Sequence, residues 1–156
     1  MVYRRRAIQY NGDAISQVRP YKSVWMYFAA AAAAKDVVEI DTATEPPGGG
    51  TNIGQMAAKK MASQRAVGGC LRAVTAATWG EVVVQGIQNG INTTGAAIIA
   101  GDQLIGSATD GALKEAASSL TWETNGTTQA VARCLVAPSA DPGTDAVIEW
   151  FNIYGY

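Results

Sequence analysis

The chain has 156 residues, enough for one domain with a real core. Charged residues make up 16% and the formal net charge is −1, so nothing in the overall balance drives it toward nucleic acid. There is no histidine, which removes the commonest general base, the Ser-His and Cys-His pairs and the commonest metal ligand; the two cysteines cannot make a Cys₄ zinc site.

From the N-terminus, Arg4, Arg5 and Arg6 form a basic cluster with no apolar run behind it, so no signal peptide is read. Asn11-Gly12 suits a tight hairpin turn between residues 3–10 and 14–19; the alternative for this stretch is a flexible arm. Val24-Trp25-Met26-Tyr27-Phe28 is the densest cluster of large apolar residues, fit either for a core or for an interface. With the alanines behind it the run is about 11 residues, too short to span a bilayer. Residues 29–34 are expected to be a short helix or a connection into a strand at 36–41. Glu45 to Asn52 reads as a loop, and Gly48-Gly49-Gly50 lacks the Gly-Lys-Ser/Thr ending of a phosphate loop. Gly54 to Gln64 is left between one or two helical turns and an irregular strand.

Strands are then expected at about 66–74, 81–87, 103–107, 112–116, 120–124, 129–137 and 145–151, punctuated by Gly, Asn and Asp turns. Two of these segments read as copies. Ala66, Val67, Cys70, Leu71 and Ala73 match Ala130, Val131, Cys134, Leu135 and Ala137 at a constant offset. Each copy is followed by a strand-like run, 81–84 and 145–149. Each is preceded by an Asp before a strand, Asp36 and Asp102, read as turn-stabilising side chains. The cysteines occupy matching places and are expected to be small buried residues, with a disulfide as the alternative. The last segment, Trp150 to Tyr156, carries more aromatics than one strand face can turn inward.

The order Gly101-Asp102-Gln103-Leu104, Asp110-Gly111-Ala112, Ala130-Val131 through Ala137 and Asp145-Ala146-Val147-Ile148 resembles small tailed-phage virion proteins. It looks like the capsid decoration, or head cement, group of β-barrel or β-tulip type. The resemblance covers about residues 34–151, with a looser version in the first half. It implies a structural protein without enzyme activity, clustered as a trimer on the outer surface of a phage head, with the major capsid protein as partner.

The expectation is therefore an all-β barrel or sandwich built from a duplicated β-unit, with at most short helices. Residues 1–33 form an N-terminal arm and apolar segment; residues 34–156 form a β-domain with halves at about 34–95 and 96–156. No catalytic, cofactor or metal residue is expected, and no nucleic acid or membrane partner. The residues expected to meet a partner are Arg4, Arg5, Arg6, Trp25, Met26, Tyr27, Phe28, Trp150, Tyr154 and Tyr156. The rival readings are a tail, collar or fibre-base component, and a carbohydrate- or host-surface-binding module using Trp79 or Trp122 as a stacking platform.

Overall fold

The structure is a computed structural model that describes residues 8–10, 13–15, 21–47, 56–63, 65–95, 98–107, 111–116 and 130–151. Among these residues there is no helix, and the chain is all-β. Two short strands, β1 (Ile8–Tyr10) and β2 (Asp13–Ile15), pair antiparallel with Tyr10 opposite Asp13, so two residues separate them as the Asn-Gly signal predicts. The remaining strands form one sheet: β3 (Tyr21–Phe28), β4 (Val37–Ile40), β5 (Ala57–Lys60), β6 (Gly68–Cys70), β7 (Thr78–Thr93), β8 (Gln103–Gly106), β9 (Leu113–Glu115), β10 (Ala132–Val136) and β11 (Gly143–Trp150).

The pairings of this sheet make two closed circuits. β3 pairs β5 in parallel, and the path returns through β4, β6 and β7 to β3, each step antiparallel. Likewise β7 pairs β9 in parallel, and the path returns through β8, β10 and β11 to β7. Closing a sheet on itself leaves no unpaired edge. Both circuits close on β7, a 16-residue strand whose first half completes the first ring and whose second half begins the next. The Asn89-Gly90 pair, one of the expected turns, lies inside this strand. Gly90 has φ +74, and the register against β11 slips beside it, between Asn89 and Ile91. It is a bulge rather than a turn.

The sequence repeat is visible bond by bond. In the first ring the Asp36 carboxylate accepts from the Ala33 amide at 2.9 Å; in the second, Asp102 accepts from the Ile99 amide at 2.8 Å. The Cys70 amide donates to the Asp36 carbonyl, and the Cys134 amide to the Asp102 carbonyl, both at 2.8 Å. The Lys35 and Gly101 amides return bonds to the Cys70 and Cys134 carbonyls. Both turn residues are left-handed, Lys35 at φ 76 and Gly101 at φ 101. A lysine there costs about 1 kcal/mol that glycine does not; the turn tolerates it because Asp36 and Cys70 fix its geometry from both sides.

Interior positions match as well. Ala32, Val38, Ala58, Val67, Cys70 and Val82 belong to the first ring's core, and Ile98, Leu104, Leu113, Val131, Cys134 and Ile148 to the second. Phe28 and Met26 add the largest side chains to the first core, and Trp150 and Ile91 join the second. Each fully buried large side chain contributes roughly 1.5–3 kcal/mol. Both cysteines are free and buried. Burial, then the Asp36 charge, pushes the Cys70 thiol up to about 12, and burial and Asp102 push Cys134 up too.

The second core does not end at its own ring. It continues into Val37, Met61, Ala66 and Val83, which belong to the first ring's strands and turns but join the second cluster. Val37 and Val83 alternate with Val38 and Val82 of the first core, so they face outward from the first ring. Two polar latches cross the same junction. The Trp150 indole donates to Gln88 Oε1 at 2.8 Å, and Gln88 Nε2 donates to the Cys70 carbonyl at 3.1 Å. Asn92 Nδ2 donates to Asp36 Oδ1 at 2.9 Å.

The alanine run takes the connection, not the helix: Ala32 exchanges both backbone bonds with Val74, and that tertiary pairing overrides alanine's helix propensity. The segment 21–33, expected as the apolar segment behind the N-terminal arm, carries β3, a full strand of the first ring; its alternation of buried Met26 and Phe28 with Trp25 and Tyr27 suits a strand with one face inward. The two rings share β7, which runs from Thr78 to Thr93. The strand expected at 120–124 lies outside the described residues.

Candidate interaction surface

β3 and the first half of β7 lie side by side, with Trp25 opposite Glu81 and Tyr27 opposite Trp79. Residues directly opposite share a face, and Met26 and Phe28 between them point into the core. Trp25, Tyr27, Trp79 and Glu81 therefore stand together on the outside of the first ring. Trp25 is 65% exposed and Trp79 36%. The Tyr27 and Trp79 rings meet edge to face, 5.7 Å between centroids at 63°. Beside them Ser23 Oγ donates to Glu81 Oε1 at 2.5 Å. The face thus combines three aromatic side chains with a hydroxyl and a carboxylate.

The residues expected to meet a partner separate into three groups. Trp25 and Tyr27 are at this surface. Met26, Phe28 and Trp150 are spent on the chain's own cores, since strand alternation turns Met26 and Phe28 inward and the Trp150 indole is tied to Gln88; this corrects their assignment to a partner surface. Arg4, Arg5, Arg6, Tyr154 and Tyr156 lie outside the described residues, as does Trp122. Sequence reasoning named Trp79 only in passing and missed Ser23 and Glu81, because their placement depends on the β3–β7 register.

Elsewhere, a cleft of about 240 Å³ lies between the end of β7 and the turn at 138–141, lined by Thr93, Ile98, Pro138 and Asp141. It is smaller than most ligand pockets. Among the described residues, no group of three or more His, Cys, Asp or Glu side chains is placed to hold a metal ion. No helix among them is long and apolar enough to cross a membrane.

No family model and no curated protein matches the chain. Among solved structures, it is similar to the N base of the head fiber protein gp8.5 of bacteriophage phi29. That likeness has a TM-score of 0.53 at 11% identity and covers 84% of this chain and 94% of that one. At such identity it establishes a shared fold.

Proposed function

We propose that the chain is a structural protein of a phage particle, bound to the outside of the head and without enzymatic activity. The observation that carries this reading is the shared fold: nearly the whole of a head fiber base is matched by most of this chain. The sequence resemblance to head decoration proteins rests on short motifs, and the fold shared with a head fiber base supports the same reading. Binding would act passively. A protein that binds the assembled shell, and not its dissociated subunits, stabilises the shell by mass action. Association as a trimer would multiply weak contacts into avidity. The major capsid protein is the partner this reading requires. The terminal segments with Arg4, Arg5, Arg6, Tyr154 and Tyr156 are its proposed attachment residues; Met26, Phe28 and Trp150 are buried in the cores.

The test is stoichiometry on purified particles, with antibody labelling to place the protein. Many copies spread over the head support a decoration role; few copies at discrete points support a fibre base, the version the structural likeness favours. Absence from washed particles, or labelling confined to the tail, overturns the head assignment. Deleting residues 1–19 is expected to leave a folded protein that no longer occupies heads. Normal occupancy by that deletion would rule out the basic segment as the attachment device.

A further inference from the structure

We propose that the Trp25–Tyr27–Trp79 face is a saccharide-binding platform that stacks neutral hexopyranose rings on its indoles and takes their hydroxyls at Glu81 and Ser23. The first argument is internal. The second ring repeats the same backbone, and there Asn89 opposite Val147 stands where the first ring has Trp25 opposite Glu81. Counting one residue back from the matched pair Gly80 and Ala146, the place of Trp79 is taken by Asp145, also exposed. The ring therefore closes without aromatics on this face. Their presence in one copy alone answers to something other than folding.

The second argument is size. An aromatic side chain offers about 150–250 Å² in all, and these three are partly covered by their neighbours. What remains exposed is on the order of a few hundred Å², well short of the roughly 800 Å² per partner of a stable protein interface. It does match the footprint of one or two sugar rings.

The third argument is chemistry. A pyranose has an apolar C–H face and a rim of hydroxyls. The edge-to-face Tyr27–Trp79 pair makes a corner for the first, and Trp25 extends it. A carboxylate has about four lone-pair sites, so Glu81 has room for a sugar hydroxyl beside the contacts it already makes, Ser23 Oγ among them. The site is open rather than enclosed, so affinity per site is expected to be weak, with Kd on the order of 1 mM.

The experiment uses the full-length chain titrated with cellobiose, lactose and N,N′-diacetylchitobiose, read by tryptophan fluorescence and by saturation-transfer NMR. At least one disaccharide is expected to bind saturably. Trp25→Ala and Trp79→Ala should each weaken that binding about tenfold or more, with the far-ultraviolet spectrum and melting temperature of Trp25→Ala unchanged. Glu81→Gln, which keeps the side-chain shape, should weaken it less. No saturable response to any of the three sugars up to roughly tens of millimolar overturns the proposal, and so does undiminished binding by Trp25→Ala. Loss of head association by Trp25→Ala with sugar binding intact also overturns it, by making the face a protein contact. Because the titration needs no particle, its failure leaves the head assignment standing.

Discussion

Across the first ring, one strip of neighbouring strands reads Val37, Gly69, Val83; across the second, the matching strip reads Gln103, Arg133, Glu149. The backbone bonds behind both strips are the same. In the first ring the strip lies against the second ring, and Val37 and Val83 are fully buried. In the second no described residue covers it, and Arg133 pairs with Glu149 at 2.6 Å with both side chains substantially exposed. Interiors are set by ring closure and stay alike; exteriors are set by what covers each ring and diverge. The Trp25 face is a second divergence of this kind, but there the aromatic side is the uncovered one.

Exchanging the strips gives the largest expected effect. An added Cβ at Gly69 would stand 2.6 Å from both Gln88 Oε1 and Ile91 Cδ1. Gly69→Arg forces a charge into that junction and is expected to cost more than about 4 kcal/mol, enough to leave little folded protein. Arg133→Gly removes only a surface ion pair and a side chain, and should change stability by less than about 1 kcal/mol. Urea unfolding of both variants decides it; equal, small effects would mean the junction between rings contributes little.

Alkali should unfold the protein through its first core. A thiol raised to about 12 stays neutral in the folded state, while in the unfolded chain it ionises near its ordinary value of 9.0. Its contribution is therefore intact below pH 9 and lost as pH rises from about 9 to about 12, by as much as roughly 4 kcal/mol. Cys70→Ala should flatten that part of the pH–stability curve more than Cys134→Ala does. In the native protein neither thiol should react with iodoacetamide at neutral pH.

The two turn aspartates separate next. Asp36 is buried and holds Asn92 across the junction as well as its own turn; among the described residues the Asp102 carboxylate accepts from its own turn alone. Asp36→Ala should cost about 2–3 kcal/mol and Asp102→Ala about 1 kcal/mol or less, measured as the shift in denaturation midpoint. Equal losses would place the worth of Asp36 in the turn alone.

The smallest effect is acidic and belongs to the first ring. Burial works against the charge of Glu39, but Ser63, through its hydroxyl and backbone N–H, and Lys59 hold its carboxyl below its ordinary value. A lowered carboxyl stabilises the fold above the ordinary value of 4.5, and that contribution disappears as pH falls below it through the lower folded value. Its counterpart in the second ring is Ile105, which carries no charge. Glu39→Gln should therefore lower stability at neutral pH and make the acid limb shallower; an acid limb unchanged by the substitution would move the effect to other carboxylates.

Much of the fold was legible in the sequence, and for a reason. Repeats of Ala-Val-x-x-Cys-Leu and of Asp before a strand report interior positions and a turn, the parts that ring closure holds constant. What stayed illegible depends on one ring meeting the other. Val24 to Phe28 looked like an undivided aromatic cluster until pairing with β7 sent alternate residues to opposite faces. Asn89-Gly90 carries turn chemistry, yet pairing with β11 before and after it makes it an irregularity of one strand. Glu81, a single charge in a valine-rich run, gave no local sign that it would stand beside two tryptophans.

Sharing β7 also decides how this molecule can come apart. Opening either ring requires releasing half of a strand whose other half is a wall of its neighbour, and the Gln88 and Asn92 latches cross at the same place. Neither ring can therefore melt as a separate unit in native-state fluctuations. Amide protons in the middle of β7 should exchange with solvent only when the entire molecule unfolds. Two halves expressed separately would contest ownership of one strand, and the half without it would be left with an open, unpaired edge.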